Sequence, residues 1–367
     1  MVYHVIGVMS GSSLDGLDIA FVELEEQGGS WQHKILEAAC FAYQDGWEER
    51  LMNPAMLGAI DYAKLHTEYG HYIGQAINQF IQDKGLGYRV GLITSHGHTA
   101  FHFPGSFSSQ LGDGAAIAAE TGLPVVSDLR SMDVALGGQG APIVPIGEKL
   151  LFAKHRFFLN LGGIANISFN GGFYYDAFDI CPANKVLNLL SELRGKKFDE
   201  HGEMASVGRI HEILLGQLQA LEYYHAAFPK SLGNEFGTDV VFPMIMNHDL
   251  SIEDKLATYV EHIAMQVAHG VSQIIAKRSI VLSSENIIIT GGGAFNRYLI
   301  SRIEAQLKPY SLEVEVPDQV TVMYKEALIM ALFGVLRWRE EENIMSSVTG
   351  ASRGSVSGAL WMGGELG

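Results

Sequence analysis

Residues 156–170 read RFFLNLGGIANISFN, in which an apolar run, two adjacent glycines and a second apolar run follow one another. The start of the chain has the same pattern, with an apolar run from Val5 to Met9, a polar glycine-rich turn from Ser10 to Gly16, and a β-rich run from Ile19 to Leu24. Two apolar runs joined by a short turn are typical of a strand hairpin. The repeat predicts two similar lobes that face a cleft.

Strands and helices alternate after each hairpin. Residues 55–84 have apolar residues at helical spacing, residues 90–97 (VGLITSHG) indicate a buried strand that ends at Gly97, and residues 285–307 combine strand, glycine turn and helix. A mostly helical insertion is expected over 198–277. This alternation predicts an α/β fold. We expect an N-terminal lobe of residues 1–130 plus 346–367 and a C-terminal lobe of residues 131–345.

Composition excludes several classes of protein. With 367 residues, 47% of them hydrophobic, the chain can bury two cores. The 25 Lys and Arg against 41 Asp and Glu give a net charge of −16, which disfavours nucleic-acid binding. Two cysteines are too few for a disulfide framework, and the longest apolar stretch, Ala327 to Val335, is shorter than a membrane span. With no targeting segment visible, we expect a cytoplasmic protein that binds no membrane.

Four glycine-rich turns come directly after apolar runs, at Gly11 to Gly16, Gly112 to Gly114, Gly162 with Gly163, and Gly291 to Gly293. Successive backbone N–H groups in such turns form anion sites, and a following helix adds its positive dipole end. Any one of them could be an ordinary tight turn, but the set predicts binding of a nucleotide polyphosphate. Neither a Walker sequence nor a Rossmann glycine pattern is present.

The first turn also carries candidate magnesium ligands. Ser10, Ser12 and Ser13 supply hydroxyls for phosphate oxygens. Asp15, with Asp18 nearby, could hold Mg²⁺ beside a phosphate loop, or Asp15 could make only a local Asx-turn bond.

The segment DAFDICPAN contains a candidate general base, Asp179, at the end of a strand and just before a helix whose first turn contains Pro182. Alternatively, Asp176 or Asp179 caps that helix. Cys181 has no base partner in the sequence and is interpreted as a small core residue.

Three histidines, His96, His98 and His102, fall within seven positions. A zinc site is conceivable, but no acidic or cysteine partner has a familiar spacing and Gly97 interrupts the strand. Hydrogen bonding to a polar substrate is favoured over metal, and a structural role stays open. Arg130 is a candidate to bind an anionic group, because a guanidinium matches a carboxylate.

Together these motifs resemble those of the anhydro-N-acetylmuramic acid kinase family. The matching segments, in the expected order, are MSGSSLDGLDIA, SHGHTAFH, DLRSMDVALGGQGAPIVP, LNLGGIANIS, FDICPAN, ITGGGAFN, KEALIMALFG and SVTGA. The resemblance implies a two-lobed, actin-like ATPase fold with a duplicated ribonuclease H-like core and ATP bound in the cleft between the lobes.

The resemblance also implies roles for individual residues. Asp179 would be the catalytic base. His96, Arg130 and Glu326 would face the sugar, with Arg130 near its lactyl carboxylate, and Asp15 and Glu326 would help to hold Mg²⁺. The residues implied to bind ATP are Gly11, Ser12, Ser13, Leu14, Asp15, Gly16, Leu17, Asp18, Gly162, Gly163, Asn166, Gly291, Gly292, Gly293 and Asn296.

The implied reaction hydrolyses the 1,6-anhydro ring and transfers the γ-phosphoryl group of ATP to O6, in cell-wall recycling. We further expect a homodimer. One alternative is a kinase of a related amino sugar without ring hydrolysis. Another is an actin-like chaperone module, which is disfavoured because no separate peptide-binding domain follows.

Several positions depart from the family pattern. His98 stands where glutamine is common, Met132 replaces an arginine, and Ile180 and Cys181 replace a hydroxyl residue and a glycine. We expect these changes to alter the lining of the sugar site.

Overall fold

The chain forms two compact units in a computed structural model that describes residues 1–11, 14, 16–44, 46–233 and 235–364. The first unit combines Met1–Ala153 with Tyr324–Gly367, and the second comprises Lys154–Met323.

The first unit begins with a three-stranded meander followed by alternating helices and strands. Its elements up to residue 153 are β1 (Val2–Ser10), β2 (Leu17–Gln27), β3 (Ser30–Phe41), α1 (Trp47–Met52), α2 (Ala59–Asp83), β4 (Leu92–Ser95), β5 (His98–Phe103), β6 (Phe107–Leu111), α3 (Gly114–Thr121), β7 (Val125–Ser127), α4 (Ser131–Ala135) and α5 (Pro145–Leu151).

The second unit repeats the meander and then adds the helical insertion. Its elements are β8 (Phe157–Leu161), β9 (Ile164–Asn170), β10 (Tyr175–Pro182), α6 (Asn184–Glu192), α7 (Glu203–Val207), α8 (Glu212–Gln219), α9 (Glu222–His225), α10 (Phe242–Met246), α11 (Ile252–Arg278), β11 (Glu285–Thr290), α12 (Arg297–Leu307) and β12 (Leu312–Glu315). The chain then runs through α13 (Gln319–Trp338), α14 (Ser346–Thr349) and β13 (Ala359–Trp361).

Five strands follow the same order in the two large sheets, and the first sheet adds β13 at its edge. Among the described residues, the first sheet runs β13-β7-β4-β1-β2-β3 and the second runs β10-β9-β8-β11-β12. In each unit three consecutive strands pair antiparallel, and the first of them pairs in parallel with a later strand that has a further parallel neighbour. This duplicated 3-2-1-4-5 order confirms the predicted α/β, actin-like fold with a repeated ribonuclease H-like core.

The first sheet is buried on both faces because its central strands alternate between two cores. Val5 faces the core that contains α13, whereas Ile6 and Val8 face the core that contains α2 and α3. Side chains of successive strand residues point to opposite faces, so an almost continuous apolar strand is what a sheet covered on both faces requires.

Helix α13 lies against the first sheet with no room for side chains at the contact. A Cβ atom at Gly7 of β1 would overlap the carbonyl oxygen of Ala327 and lie 2.8 Å from the backbone nitrogen of Ala331. A Cβ at Gly334 would overlap the hydroxyl of Thr94 on β4. The glycines therefore allow the helix to pack closely on β1 and β4.

The predicted lobe boundaries at 130/131 and 345/346 are wrong by about twenty residues each. Residues 131–153 and 324–345 belong to the first unit. The physical reason is that α13 is buried in the first core from Tyr324 onward, where its backbone departs from helical geometry, and α5 packs against it through Gly147 and Ile329. The tail from residue 346 lies in the first unit, as expected.

Among the described residues, one helix is long and apolar enough to cross a membrane, and it is α13. Most of it is buried inside the first unit, where it forms the centre of a hydrophobic core. Its composition therefore reflects core packing.

The contact between α13 and β1 makes a testable prediction. We expect Gly7→Ala to lower the free energy of unfolding by about 1–3 kcal/mol or more, because the added methyl group meets backbone atoms that cannot rotate away. Gly91→Ala is the matched control, since its Cβ would have only the His4 carbonyl oxygen nearby, at 3.6 Å. Chemical denaturation of both variants measures the difference, and equal midpoints would contradict this packing.

Candidate active site

The first unit gathers polar residues at one edge of its sheet. Strands β1, β4 and β7 run parallel and end at Ser10, Ser95 and Ser127. Carboxyl ends of parallel strands meet at the same edge, which is where ligands bind in open α/β sheets. His96 and Arg130 follow β4 and β7 and lie at this edge.

His96 and Arg130 contact each other directly. Nε and Nη2 of Arg130 lie 3.1 and 2.7 Å from Nε2 of His96, and Nδ1 of His96 lies 2.8 Å from the carbonyl oxygen of Gly97. Burial, together with the charge of Arg130, lowers the pKa of His96 to about 3. The ring is therefore neutral, donating from Nδ1 and accepting at Nε2.

Further residues, none of which had an individual role in the sequence-based predictions, also hold Arg130 in place. Its Nη1 donates to the Gly140 carbonyl at 2.6 Å, and the Gly140 N–H donates to Oδ2 of Asp133 at 2.8 Å. The Thr349 hydroxyl donates to Oδ1 of Asp133 at 2.6 Å. The segments DVALGGQGAP and SVTGA therefore support the guanidinium, which keeps two of its five N–H groups outside these contacts.

The side chain of Glu326 is partly buried and lies near the positive charges of Lys325 and Arg130. Burial raises the pKa of its carboxyl group, and the charges of Lys325 and Arg130 oppose that rise. Burial lowers the pKa of Arg130 to about 10, so the guanidinium stays charged at neutral pH. Lys325 itself donates to Glu148 at 3.0 Å in a buried ion pair. The predicted sugar-facing residues His96, Arg130 and Glu326 thus all belong to the first unit.

The other two histidines of the cluster have separate environments. Nδ1 of His98 lies 3.2 Å from the Ser10 hydroxyl, which also contacts the hydroxyls of Tyr43 and Tyr69 at 2.7 and 2.9 Å. His102 is exposed on β5. Across the described part of the chain, no three His, Cys, Asp or Glu side chains are grouped to hold a metal ion. Hydrogen bonding is the role that the geometry supports.

The first glycine-rich turn is described only in part. Ser12, Ser13 and Asp15, which the resemblance assigns to ATP and Mg²⁺, lie outside the described residues. Gly11 and Leu14 lie in the turn, where the Leu14 nitrogen is 3.5 Å from the Gly11 carbonyl oxygen. The partly buried Asp18 of β2 pairs with Met9 of β1. Leu17 is fully buried in the core, so its side chain is a packing group.

Two of the glycine turns have packing explanations. A Cβ at Gly16 would lie 2.7 Å from both the Cys40 sulfur and the Phe41 carbonyl oxygen. A Cβ at Gly114 would meet the Ser127 hydroxyl and the Trp361 ring. These glycines are required by the fold itself.

In the second unit a row of polar residues crosses the sheet. Thr290 pairs with Asn160, Asn160 with Asn166, and Asn166 with Asp179, on four neighbouring strands. Residues directly opposite in adjacent strands present their side chains to the same face. The register therefore aligns Asn166 beside Asp179, next to the glycines that follow β8 and β11.

Asp179 lies within β10, not at its end, because a bulge between Asp179 and Cys181 lets the strand continue to Pro182. Pro182 therefore ends the strand, and the helix begins only at Asn184. Oδ2 of Asp179 accepts the Leu232 N–H at 2.9 Å. Burial raises the pKa of Asp179, and the Leu232 hydrogen bond partly offsets that rise. A partly desolvated carboxylate with one anchored oxygen is suited to accept a proton.

Neither aspartate caps the following helix. Asp176 accepts two hydrogen bonds from the guanidinium of Arg278, at 2.8 and 2.6 Å.

Cys181 is fully buried, and burial raises the pKa of its thiol well above the usual range, so it is a core residue.

The departures at Ile180 and Cys181 do not line the site. Both side chains belong to the hydrophobic core of the second unit. The expectation that these two residues alter the lining of the sugar site is wrong. Of the other two departures, Met132 has an exposed side chain, and His98 lies within hydrogen-bonding distance of the Ser10 hydroxyl.

The remaining two glycine turns adjoin within the second unit. A Cβ at Gly291, whose φ is +82°, would lie 2.5 Å from Oδ1 of Asn160, and a Cβ at Gly293 would lie 2.7 Å from Cβ of Leu161. By contrast, a Cβ at Gly162 or Gly163 would meet only atoms at 3.4 Å or beyond, and neither residue has a left-handed φ. The fold does not require glycine at Gly162 or Gly163, so the missing side chains leave space for a ligand.

Two further residues of the second unit have structural contacts. Oδ1 of Asn296 accepts the Leu299 N–H at 2.9 Å, which makes Asn296 the cap of α12. Nδ2 of Asn184 donates to the Leu161 carbonyl at 2.8 Å and so ties the start of α6 to the glycine turn after β8. Gly292 has open space on its Cβ side apart from Asn184, at 3.6 Å.

Comparison with known proteins adds an independent finding. A family profile described as anhydro-N-acetylmuramic acid kinase matches residues 3–363. The chain is 32% identical to the anhydro-N-acetylmuramic acid kinase of Vibrio parahaemolyticus and 33% identical to that of Shewanella baltica, in each case over 369 residues and 97% of both chains. A solved structure, the activator of the 2-hydroxyisocaproyl-CoA dehydratase from Clostridium difficile with bound ADPNP, is 16% identical at a TM-score of 0.43 and covers 93% of this chain and 99% of that one. On the strength of the profile and these sequence relatives, the chain belongs to the anhydro-N-acetylmuramic acid kinase family.

Proposed function

We propose that this protein is a kinase that converts 1,6-anhydro-N-acetylmuramic acid, ATP and water to N-acetylmuramic acid 6-phosphate and ADP, in cell-wall recycling. Membership of the family supports the activity. The observation that carries the mechanism is the environment of Asp179, a partly buried carboxylate with one oxygen anchored by Leu232 and the polar Asn166 opposite it.

Asp179 acts as the general base. Its carboxylate accepts a proton from water as the water oxygen attacks C1 of the sugar and the bond between C1 and O6 breaks. O6 takes the γ-phosphoryl group of ATP as the bond between that phosphorus and the β,γ-bridging oxygen breaks, and ADP leaves. The raised pKa of Asp179 makes it a stronger base than an exposed aspartate, and the Leu232 hydrogen bond fixes which oxygen stays available.

ATP is bound by glycine turns of this chain. Gly162, Gly163 and Gly292 have space for a ligand on their Cβ side, and the N–H groups of such turns can donate to phosphate oxygens. The first turn is formed or flanked by Gly11, Leu14, Gly16, Leu17 and Asp18. The turns that follow β8 and β11 are shaped by Asn166, Gly291, Gly293 and Asn296.

The sugar carboxylate is bound by Arg130, which His96 and Gly140 hold in place. Glu326 is a hydrogen-bond acceptor for the sugar, and the two nearby cations offset its charge. We propose that Mg²⁺ accompanies ATP and that Asp15, with phosphate oxygens, is its principal ligand. The cations near Glu326 make that carboxylate the weaker magnesium ligand. We also propose that the protein is located in the cytoplasm and forms a homodimer.

A kinase of a related amino sugar without ring hydrolysis is the second candidate. The departures from the family pattern at Ile180 and Cys181 give it no support, because both side chains lie in the hydrophobic core of the second unit.

The first test addresses the base. We expect Asp179→Asn to lower kcat about 10²- to 10⁴-fold, because the amide cannot accept the proton. The unfolding midpoint should hardly change, since the amide oxygen can still accept the Leu232 N–H. A coupled assay measures sugar-dependent ADP release. Asp239→Asn, at an exposed aspartate of the same unit, is the control and should keep full activity. Equal rates for the two variants, or ATP consumption that does not depend on sugar, would contradict the proposal.

The second test addresses the phosphate turn. We expect Gly163→Ala to raise the KM for ATP about tenfold or more without loss of stability, because its methyl group would occupy space left for ligand and lies 3.9 Å from the nearest protein atom. Gly216→Ala, an exposed position within α8 with open space around it, is the control. An unchanged KM for ATP in Gly163→Ala would show that phosphate does not approach this turn.

A further inference from the structure

Within the described part of the chain, β10 is the outermost strand of the second sheet, and it carries Asp179. Strand β9 pairs with one side of β10, and the register of that pairing shifts between Asp179 and Cys181. A bulge interrupts the hydrogen-bond ladder and changes the direction of the side chains beside it. The direction of the Asp179 side chain therefore depends also on contacts outside the ladder with β9.

Asp179 forms three hydrogen bonds with residues 223–232 of the helical insertion. Its N–H donates to the Lys230 carbonyl at 3.2 Å, its carbonyl accepts the Tyr223 hydroxyl at 2.8 Å, and its Oδ2 accepts the Leu232 N–H at 2.9 Å. The N–H and C=O groups along the outer edge of a strand have no partner in the sheet. The insertion supplies those partners at Asp179, and so fixes the peptide groups on both sides of it and one carboxylate oxygen.

This part of the insertion has its own attachment to the second unit. The Phe228 ring stacks on the Phe178 ring with the centroids 4.4 Å apart, and Nζ of Lys277 on α11 donates to the Phe228 carbonyl at 3.1 Å. Both phenylalanines belong to the hydrophobic core of the unit. Asp179 is therefore held against a segment that the core itself keeps in place.

The contact from Tyr223 comes from a side chain, so a substitution can remove it. Nζ of Lys230 lies 4.7 Å from the centroid of the Tyr223 ring and donates to the Tyr223 carbonyl at 3.1 Å, which holds the residue in place. Burial, together with the negative charge of Asp179, raises the pKa of Tyr223. The hydroxyl therefore stays protonated at physiological pH and donates to the Asp179 carbonyl.

We propose that Tyr223 is a positioning residue for the reaction. Its hydroxyl fixes the peptide group that follows Asp179, and so keeps the other carboxylate oxygen, Oδ1, directed toward the water that attacks C1. This inference rests on the proposed function, in which Asp179 is the base, and adds a residue that acts through that base. A hydroxyl that only covered the edge of β10 would contribute to stability and leave catalysis unchanged.

The first experiment removes the hydroxyl. We expect Tyr223→Phe to lower kcat about 10- to 100-fold, because a displaced base reacts more slowly even when both substrates are bound. The KM values for ATP and for the sugar should change less than about twofold, since the lost contact is to the protein backbone. The coupled assay of sugar-dependent ADP release measures both constants.

Tyr259→Phe is the matched control. The Tyr259 hydroxyl donates to the Pro182 carbonyl at 2.7 Å, so it makes the same kind of bond to the same strand, beyond the bulge. The control should lower the unfolding midpoint at least as much as Tyr223→Phe does, because it leaves a buried carbonyl without its partner. Its kcat should stay at the wild-type value.

A double variant tests whether Tyr223 acts through Asp179. In the Asp179→Asn protein, Tyr223→Phe should lower kcat further by less than about twofold, because the base that the hydroxyl positions is already absent. Two independent roles would instead give a product of the two single effects.

An unchanged kcat in Tyr223→Phe would overturn the inference. Equal losses of kcat in Tyr223→Phe and Tyr259→Phe would also overturn it, since they would reflect stability alone, and so would fully multiplied effects in the double variant. Failure of the proposed function is a different result, in which the wild-type protein releases no ADP when the sugar is present or Asp179→Asn keeps the wild-type rate.

Discussion

The close contact of α13 with β1 and β4 is the constraint on which the first unit depends. Gly7 and Gly334 bring the helix against the sheet, so the polypeptide after Tyr324 returns to the unit formed by the first 153 residues. The same helix carries Glu326, whose carboxylate lies near the positive charges of Lys325 and Arg130. The chain beyond it brings Thr349 to Asp133 and adds β13 next to β7. The C-terminal segment therefore completes the candidate site of the first unit.

The two units contribute different electrostatic environments. In the first, a charged guanidinium is fixed between a neutral imidazole and a backbone carbonyl, a geometry that suits recognition of a carboxylate. Because the pKa of His96 is about 3, this arrangement is unchanged across the physiological pH range. In the second, burial raises the pKa of Asp179 and so favours proton transfer. Burial thus keeps His96 uncharged in one unit and raises the proton affinity of Asp179, the base that we propose, in the other.

Local patterns predicted the hairpins and α2, because these depend on nearest neighbours along the chain. Strand β3 was missed because its side chains are mostly half-exposed and lack a clear apolar face. The lobe boundaries could not be predicted, since the apolar run from Ala327 to Val335 could have packed on either sheet. Likewise, motifs predicted Arg130 as a site residue, but only the fold shows that Asp133 and Thr349 support it.

In the proposed reaction, water opens the anhydro ring while O6 takes the phosphoryl group. Turnover in H₂¹⁸O, followed by immediate mass analysis of the sugar phosphate, tests it most directly. We expect the product to gain one ¹⁸O, located on C1, with ¹⁶O in the bond between O6 and phosphorus. A product that keeps the anhydro ring and gains no ¹⁸O, or one with ¹⁸O in its phosphate group, would contradict it.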